Sequence, residues 1–176
     1  MADGDDVTVR LVEESLRLPS LGHRTQRSVA RVLRHTPAEL LVIMCNASGD
    51  GFERWCPALS GAILDSVEAR VAAASSVSSA GEVLDMVRSS RHLDGDTASA
   101  WATVLWVSDK TCSVAWLGGD EVWVFDDNGL VHRTAGHRWQ RAGRSGPMLV
   151  QGIGAGYPTD QPPGHFEMEP AAERHH

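Results

Sequence analysis

Val114-Ala115-Trp116-Leu117-Gly118-Gly119-Asp120-Glu121-Val122-Trp123-Val124-Phe125, followed by Asp126-Asp127-Asn128-Gly129-Leu130, is the stretch that decides the fold. Apolar and polar residues alternate around two turn signals, Gly118-Gly119 and Asn128-Gly129. Period-two alternation puts successive side chains on opposite faces of a strand. Asn-Gly is a favoured pair for a hairpin turn, where the backbone needs positive φ. The pattern predicts strands over 112–117, 121–125 and 130–134. A strand over 100–107 precedes them, and Ser108-Asp109-Lys110-Thr111 is the turn between. The four strands read as an antiparallel meander.

Upstream the period changes. Pro57 fits a first helical turn, and Leu59, Ile63, Val67 and Val71 recur every four residues, predicting a helix over 57–74. Asp65, Glu68 and Arg70 lie off that stripe. Ser75 to Ser79 is a break. Ser79 and Glu82 then form a capping box ahead of a second apolar face, Val83, Met86 and Val87. Residues 91–96 are a charged linker. Before the helices, Leu40-Leu41-Val42-Ile43-Met44-Cys45 reads as a buried central strand, with a polar loop over 46–51. A strand over 26–33 is broken by His35-Thr36-Pro37, and Pro19, Ser20 and Gly22 mark a loop. Val7, Val9 and Leu11 alternate as a first strand. Strands, two helices and more strands predict an α+β fold with helices packed on a sheet.

The chain has 176 residues, which suits one domain. Residues 1–6 are expected to be a disordered acidic start, 7–156 the domain, and 157–176 a Pro- and Gly-containing tail. Lys plus Arg number 16 against 23 Asp plus Glu, a formal charge of -7. That balance argues against nucleic acid or an anionic membrane as partner. No apolar run has the length of a bilayer span. Cys45, Cys56 and Cys112 form no CxxC pair, which suits a reducing cytoplasm better than a disulfide framework. Lys110 stands against 15 arginines, a hint of GC-rich coding.

The meander from Val114 to Phe125, then Asn128-Gly129-Leu130 and Thr134-Ala135-Gly136-His137, resembles the metal-dependent Ser/Thr protein phosphatases of the 2C type. Their pattern there is V-A-N-V-G-D-S-R-x-Y-L, a short D-G turn, then L-T-x-D-H. Gly22-His23-Arg24-Thr25-Gln26-Arg27-Ser28-Val29-Ala30 resembles G-x-R-x-x-N-E-D-A. Residues 41–51 resemble the strand into V-A-D-G-M-G-G-H, and Leu149-Val150-Gln151-Gly152-Ile153-Gly154 resembles L-T-R-A-L-G. The resemblance implies a β-sandwich flanked by helices, α-β-β-α, here C-terminally truncated.

It also implies two Mg²⁺ or Mn²⁺ ions held by carboxylates, which lower the pKa of a bound water. The departures fall on those ligands. Arg27, Ser28 and Val29 stand where the family has N-E-D, and Asn46 where it has its bridging Asp. Gly119 and Glu121 replace the Asp and Arg of G-D-S-R, and Gly136-His137 keeps only the His of D-H. An arginine where two dications would sit opposes them electrostatically.

The expectation is therefore a catalytically inactive pseudophosphatase with no cofactor, acting as a cytoplasmic regulatory scaffold for a protein partner such as a kinase or a phosphoprotein. A divergent Mn- or Mg-dependent phosphatase is the alternative, with Asp50 and Asp120 as ligands and Asp126-Asp127 as further acids. A third reading is a phosphopeptide module in which Arg24 and Arg27 hold phosphate, Arg being suited to bidentate contacts. Six tryptophans, Trp55, Trp101, Trp106, Trp116, Trp123 and Trp139, are many for this length. By strand parity Trp106 and Trp116 form one set. Trp106, Trp116 and Trp139 are the candidate partner contacts. A truncated sheet would leave a bare edge, which predicts a homodimer or a complex covering it.

Overall fold

The computed structural model describes residues 29–36, 38–49, 54–94, 97–118, 121–126, 128–135, 138–139, 148–149, 152–155, 157–158 and 160–169. Strands β1 (Val29–Thr36) and β2 (Glu39–Gly49) lead to a short β3 (Arg54–Trp55). Helices α1 (Pro57–Ala73) and α2 (Ala80–Arg88) follow, with a 3-10 turn at Arg91–Leu93. Then come β4 (Ser99–Ser108), β5 (Cys112–Leu117), β6 (Trp123–Asp126), β7 (Gly129–Arg133), β8 (Arg138–Trp139), β9 (Met148–Leu149), β10 (Ile153–Gly154) and β11 (Gly164–Met168). The architecture is α+β: an antiparallel sheet carrying two helices.

The sheet runs β1-β2-β4-β5-β11, with β3 beside β2 and β10 beside β4. Leu41, Ile43, Cys45 and Ala47 of β2 share one face with Ala100, Ala102 and Val104 of β4 and Ala115 and Leu117 of β5. These side chains form one core with Ile63, Leu64, Val67 and Val71 of α1 and Val83, Leu84 and Val87 of α2. Burying apolar area of this kind is the main favourable term in folding. Leu59, the first residue of the expected stripe, is half-buried against the same core.

Polar side chains fix the helices. The Ser60 hydroxyl accepts from the Ala47 amide at 2.9 Å, fastening the start of α1 to β2. Arg70 donates to Met86 O at 2.9 Å and to Ser89 Oγ at 2.8 Å, joining α1 to the end of α2. Arg31 of β1 reaches Asp65 at 2.6 Å and Glu68 at 2.8 Å. The two carboxylates raise the Arg31 pKa against its partial burial, with the Asp65 hydrogen bond as the largest cause. Ser79 Oγ accepts from the Glu82 amide at 3.2 Å, half of the expected capping box. The Glu82 carboxylate reaches past Ser79 to the Ser78 amide at 2.8 Å and hydroxyl at 2.9 Å.

Four sequence expectations change. The loop over 46–51 gives way at its start to strand, because β4 offers each residue a partner: Asn46 faces Trp101, Ala47 faces Ala100, and Ser48 faces Ser99. The strand expected to stop at 33 runs to Thr36, through a register shift between Val32 and Arg34. The meander divides: β4 and β5 belong to the large sheet, whereas β6 pairs with β7 in a separate two-stranded sheet. Within the segment read as a tail, Gly164–Met168 pairs along β5 from Trp116 to Cys112. Arg88 supports that return, donating to Gln161 O at 2.7 Å. The first strand expected over 7–12 lies outside the described residues. Among those residues no helix is long and apolar enough to cross a membrane.

Candidate functional site

Two places on the described structure have the chemistry of a site. The first is the far end of β2, on the sheet face turned away from the helices. Asn46 and Ser48 point there from β2, and Trp101 and Ser99 from β4. Asn46, Ser48 and Ser99 are each 1% exposed. The Ser99 hydroxyl is buried with no hydrogen-bond partner among the described residues. Gly118 packs against the Trp101 side chain at φ 130°, so its Cα closes one side of this seam. All four side chains are electrically neutral.

The resemblance puts a dication-bridging carboxylate at Asn46. A buried primary amide offers one neutral oxygen, and a hard dication takes several oxygens, carboxylates among them. Val29, at another ligand position of the resemblance, is aliphatic and pairs with Cys45 at the sheet's edge strand. The described donors do not fit a two-metal centre. Among the described residues no group of three His, Cys, Asp or Glu side chains is placed to hold a metal ion. Arg24, Arg27, Ser28, Asp50, Gly119, Asp120, Asp127 and His137 lie outside the described residues. So does the side chain of Asp126, whose backbone pairs with Gly129.

The second place is the β6–β7 hairpin. Val124 and His132 pair with each other and face the large sheet, where the His132 ring stacks on Phe166 at 3.6 Å between centroids. Trp123 and Phe125 alternate to the outside, opposite Arg133 and Leu130. Val131 sits at a register shift. Trp123 is 47% exposed, Phe125 64%, Leu130 50% and Val131 49%. These four are the exposed large apolar side chains among the described residues. The Arg133 guanidinium lies 4.4 Å over the Trp123 ring and pairs with Glu121 at 2.7 Å. Thr134 ties the hairpin's base, its Oγ1 accepting from the Val122 amide at 2.8 Å. An open depression of about 320 Å³ beside it is lined by Glu121, Arg133, Thr134 and Ala135.

Of the tryptophans singled out from sequence as partner contacts, Trp106 and Trp116 have described side chains. Trp106 and Trp116 lie on opposite faces, because the β4–β5 register sets Trp106 beside Ser113 and Trp116 beside Thr103. Trp106 packs on the helical core and donates its indole N–H to Glu39 at 2.7 Å. Trp116 is 8% exposed, donates to Ala135 O at 3.1 Å, and covers Gly164. Trp139 has only its backbone described, in β8 opposite Met148. Among the described residues the exposed aromatic pair is Trp123 and Phe125, which are not among the candidate partner contacts named from sequence. The signal was available: two aromatics at alternate positions of a strand bounded by acids, next to an Asn-Gly turn.

Cys45, Cys56 and Cys112 are thiols outside any disulfide, and Cys45 is fully buried. Burial pushes the Cys112 thiol pKa up. Neither feature suits a nucleophile, since the thiolate is the reactive form. Compared with known proteins, the chain matches no protein-family model and has no significant match to a curated protein.

Proposed function

We propose that this chain is a non-catalytic binding module, a pseudophosphatase on a scaffold like that of the 2C-type phosphatases, acting in the cytoplasm by holding a protein partner. The observation that carries the reading is Asn46. It is buried at the end of β2 where the resemblance calls for the bridging carboxylate, and its neighbours across the strands are Trp101, Ser99 and Ser48. An amide there removes the negative charge that two dications need. The scaffold around it keeps its hydrophobic patterning, from the buried residues of β2 to both helices. Loss of ligands with retention of the core is what selection for binding alone would leave.

The test is a phosphatase assay on a phosphothreonine peptide and an aryl phosphate under saturating Mn²⁺ or Mg²⁺, with calorimetry for metal binding. The proposal expects neither turnover nor metal heat. Turnover that depends on the metal and is lost in Asp50→Asn would mean that the site is rebuilt around Asp50.

A further inference from the structure

We propose that the outer edge of β11 pairs antiparallel with β11 of a second copy of this chain, about a two-fold axis at Phe166, so that His165 of each copy lies opposite Glu167 of the other. This surface is independent of the binding-module reading above.

The two ends of the large sheet differ. Among the described residues β11 pairs with β5 alone, over Gly164–Met168, with no shift of register. Its segment holds no Lys and no Pro. Bulges, lysines and prolines are the usual means by which an edge strand refuses a further strand. β1, at the opposite end, has a register shift between Val32 and Arg34 and carries Arg31 and Arg34. The ladder is therefore open to continuation at β11.

The side chains of β11 select the occupant. Gly164, Phe166 and Met168 share a face with Trp116, Val114 and Cys112, whereas His165 and Glu167 share the helix-bearing face with Ala115 and Ser113. A two-fold axis perpendicular to the sheet keeps each side chain on its own face, so the pairing must be centred on a single residue. Centring on Phe166 sets His165 opposite Glu167 at both ends, with Gly164 opposite Met168. Centring on Glu167 opposes two carboxylates, and centring on His165 opposes two imidazoles. Opposite-charge pairs across a ladder stabilise it and like charges directly opposite weaken it, so the register centred on Phe166 is the self-complementary one.

Both side chains have capacity for that contact. His165 and Glu167 are exposed, and among the described residues neither joins an ion pair. Glu167 Oε1 accepts from Thr111 Oγ1 at 3.0 Å, and His165 Nε2 lies 3.4 Å from Ser113 Oγ. A carboxylate has about four acceptor sites and an imidazole a second ring nitrogen, so one existing contact leaves room for another.

A five-residue strand pair is smaller than the interface of a stable complex, which places the dimer at tens to hundreds of micromolar. The net charge of -7 on each copy opposes approach, but at physiological salt that repulsion fades over about 8 Å.

The test is sedimentation equilibrium of the full chain over that concentration range, at neutral pH and physiological salt. A concentration-dependent dimer is expected. His165→Glu sets acid against acid at both ends and should weaken the dimer tenfold or more, with thermal unfolding unchanged. If His165→Glu disturbs folding, Glu167→Lys sets base against base from the other half of the pair. The double variant His165→Glu/Glu167→His exchanges acid and base and should restore the dimer. A monomer throughout the range, a dimer undiminished by His165→Glu and by Glu167→Lys, or a well-folded double variant that stays monomeric would overturn the proposal.

Discussion

The indole of Trp116 lies over the backbone of Gly164, so close that a methyl group on Gly164 would overlap its ring. The two residues are register partners on β5 and β11. This contact lets the last strand join the sheet beside a bulky, buried side chain.

Gly164→Ala therefore costs stability, about 1–3 kcal/mol, since a rigid indole in a packed site has no room to retreat. Urea unfolding of the variant against the parent measures this. A neutral result would mean that β11 does not pair with β5 as described.

Gly118 and Gly129 separate two effects of adding a methyl group. Both have positive φ, 130° and 125°, but Gly118 faces the Trp101 side chain and Gly129 faces open space. Gly129→Ala should cost only the backbone strain, about 1 kcal/mol. Gly118→Ala adds the steric overlap and should cost ~2–4 kcal/mol. Equal costs would contradict the placement of Trp101.

Trp106 was a partner candidate on sequence alone, and the structure gives it internal work. Its N–H bonds the Glu39 carboxylate, which also pairs with Arg34 at 3.2 Å. Trp106→Phe keeps the ring on the core and removes the bond. The expected loss is about 1 kcal/mol in thermal or urea unfolding.

Glu82 gives the fold an acid-sensitive contact. Hydrogen bonds from the Ser78 amide and hydroxyl hold its carboxyl below the ordinary carboxylate range. A group with a lowered folded pKa stabilises the fold above its unfolded pKa, and that contribution disappears as pH falls through the folded value. Unfolding free energies should thus be insensitive to Glu82 from neutral pH down to about 5, then fall. Glu82→Gln removes this part of the acid dependence, by under ~1 kcal/mol because the group is exposed. Parallel urea titrations at neutral and acid pH would reveal an unchanged slope if the contact were absent.

Local chemistry was legible in the residues. The four-residue stripe of α1, the Ser79 cap, the apolar run at Leu40 and the Asn128-Gly129 turn each act within a few residues, and each is found where expected. Pairing between distant strands was not legible. Asn46 to Ser48 look like loop because polar residues are turn-formers locally, yet β4 supplies their partners from more than fifty positions away. Trp106 and Trp116 were grouped by parity along the chain. The face a strand residue takes depends on register across the ladder, where one position reverses it. The separation of β6–β7 from β5 was hidden for the same reason, and with it the exposure of Trp123 and Phe125.

The most direct test of the central claim is calorimetric titration of the full chain with Mn²⁺, paired with turnover of a phosphothreonine peptide. The proposal, which rests on Asn46 being buried where the resemblance calls for a bridging carboxylate, predicts no binding heat and no metal-dependent phosphate release. Saturable heat with two-ion stoichiometry, accompanied by turnover, would contradict that prediction and make this chain an enzyme.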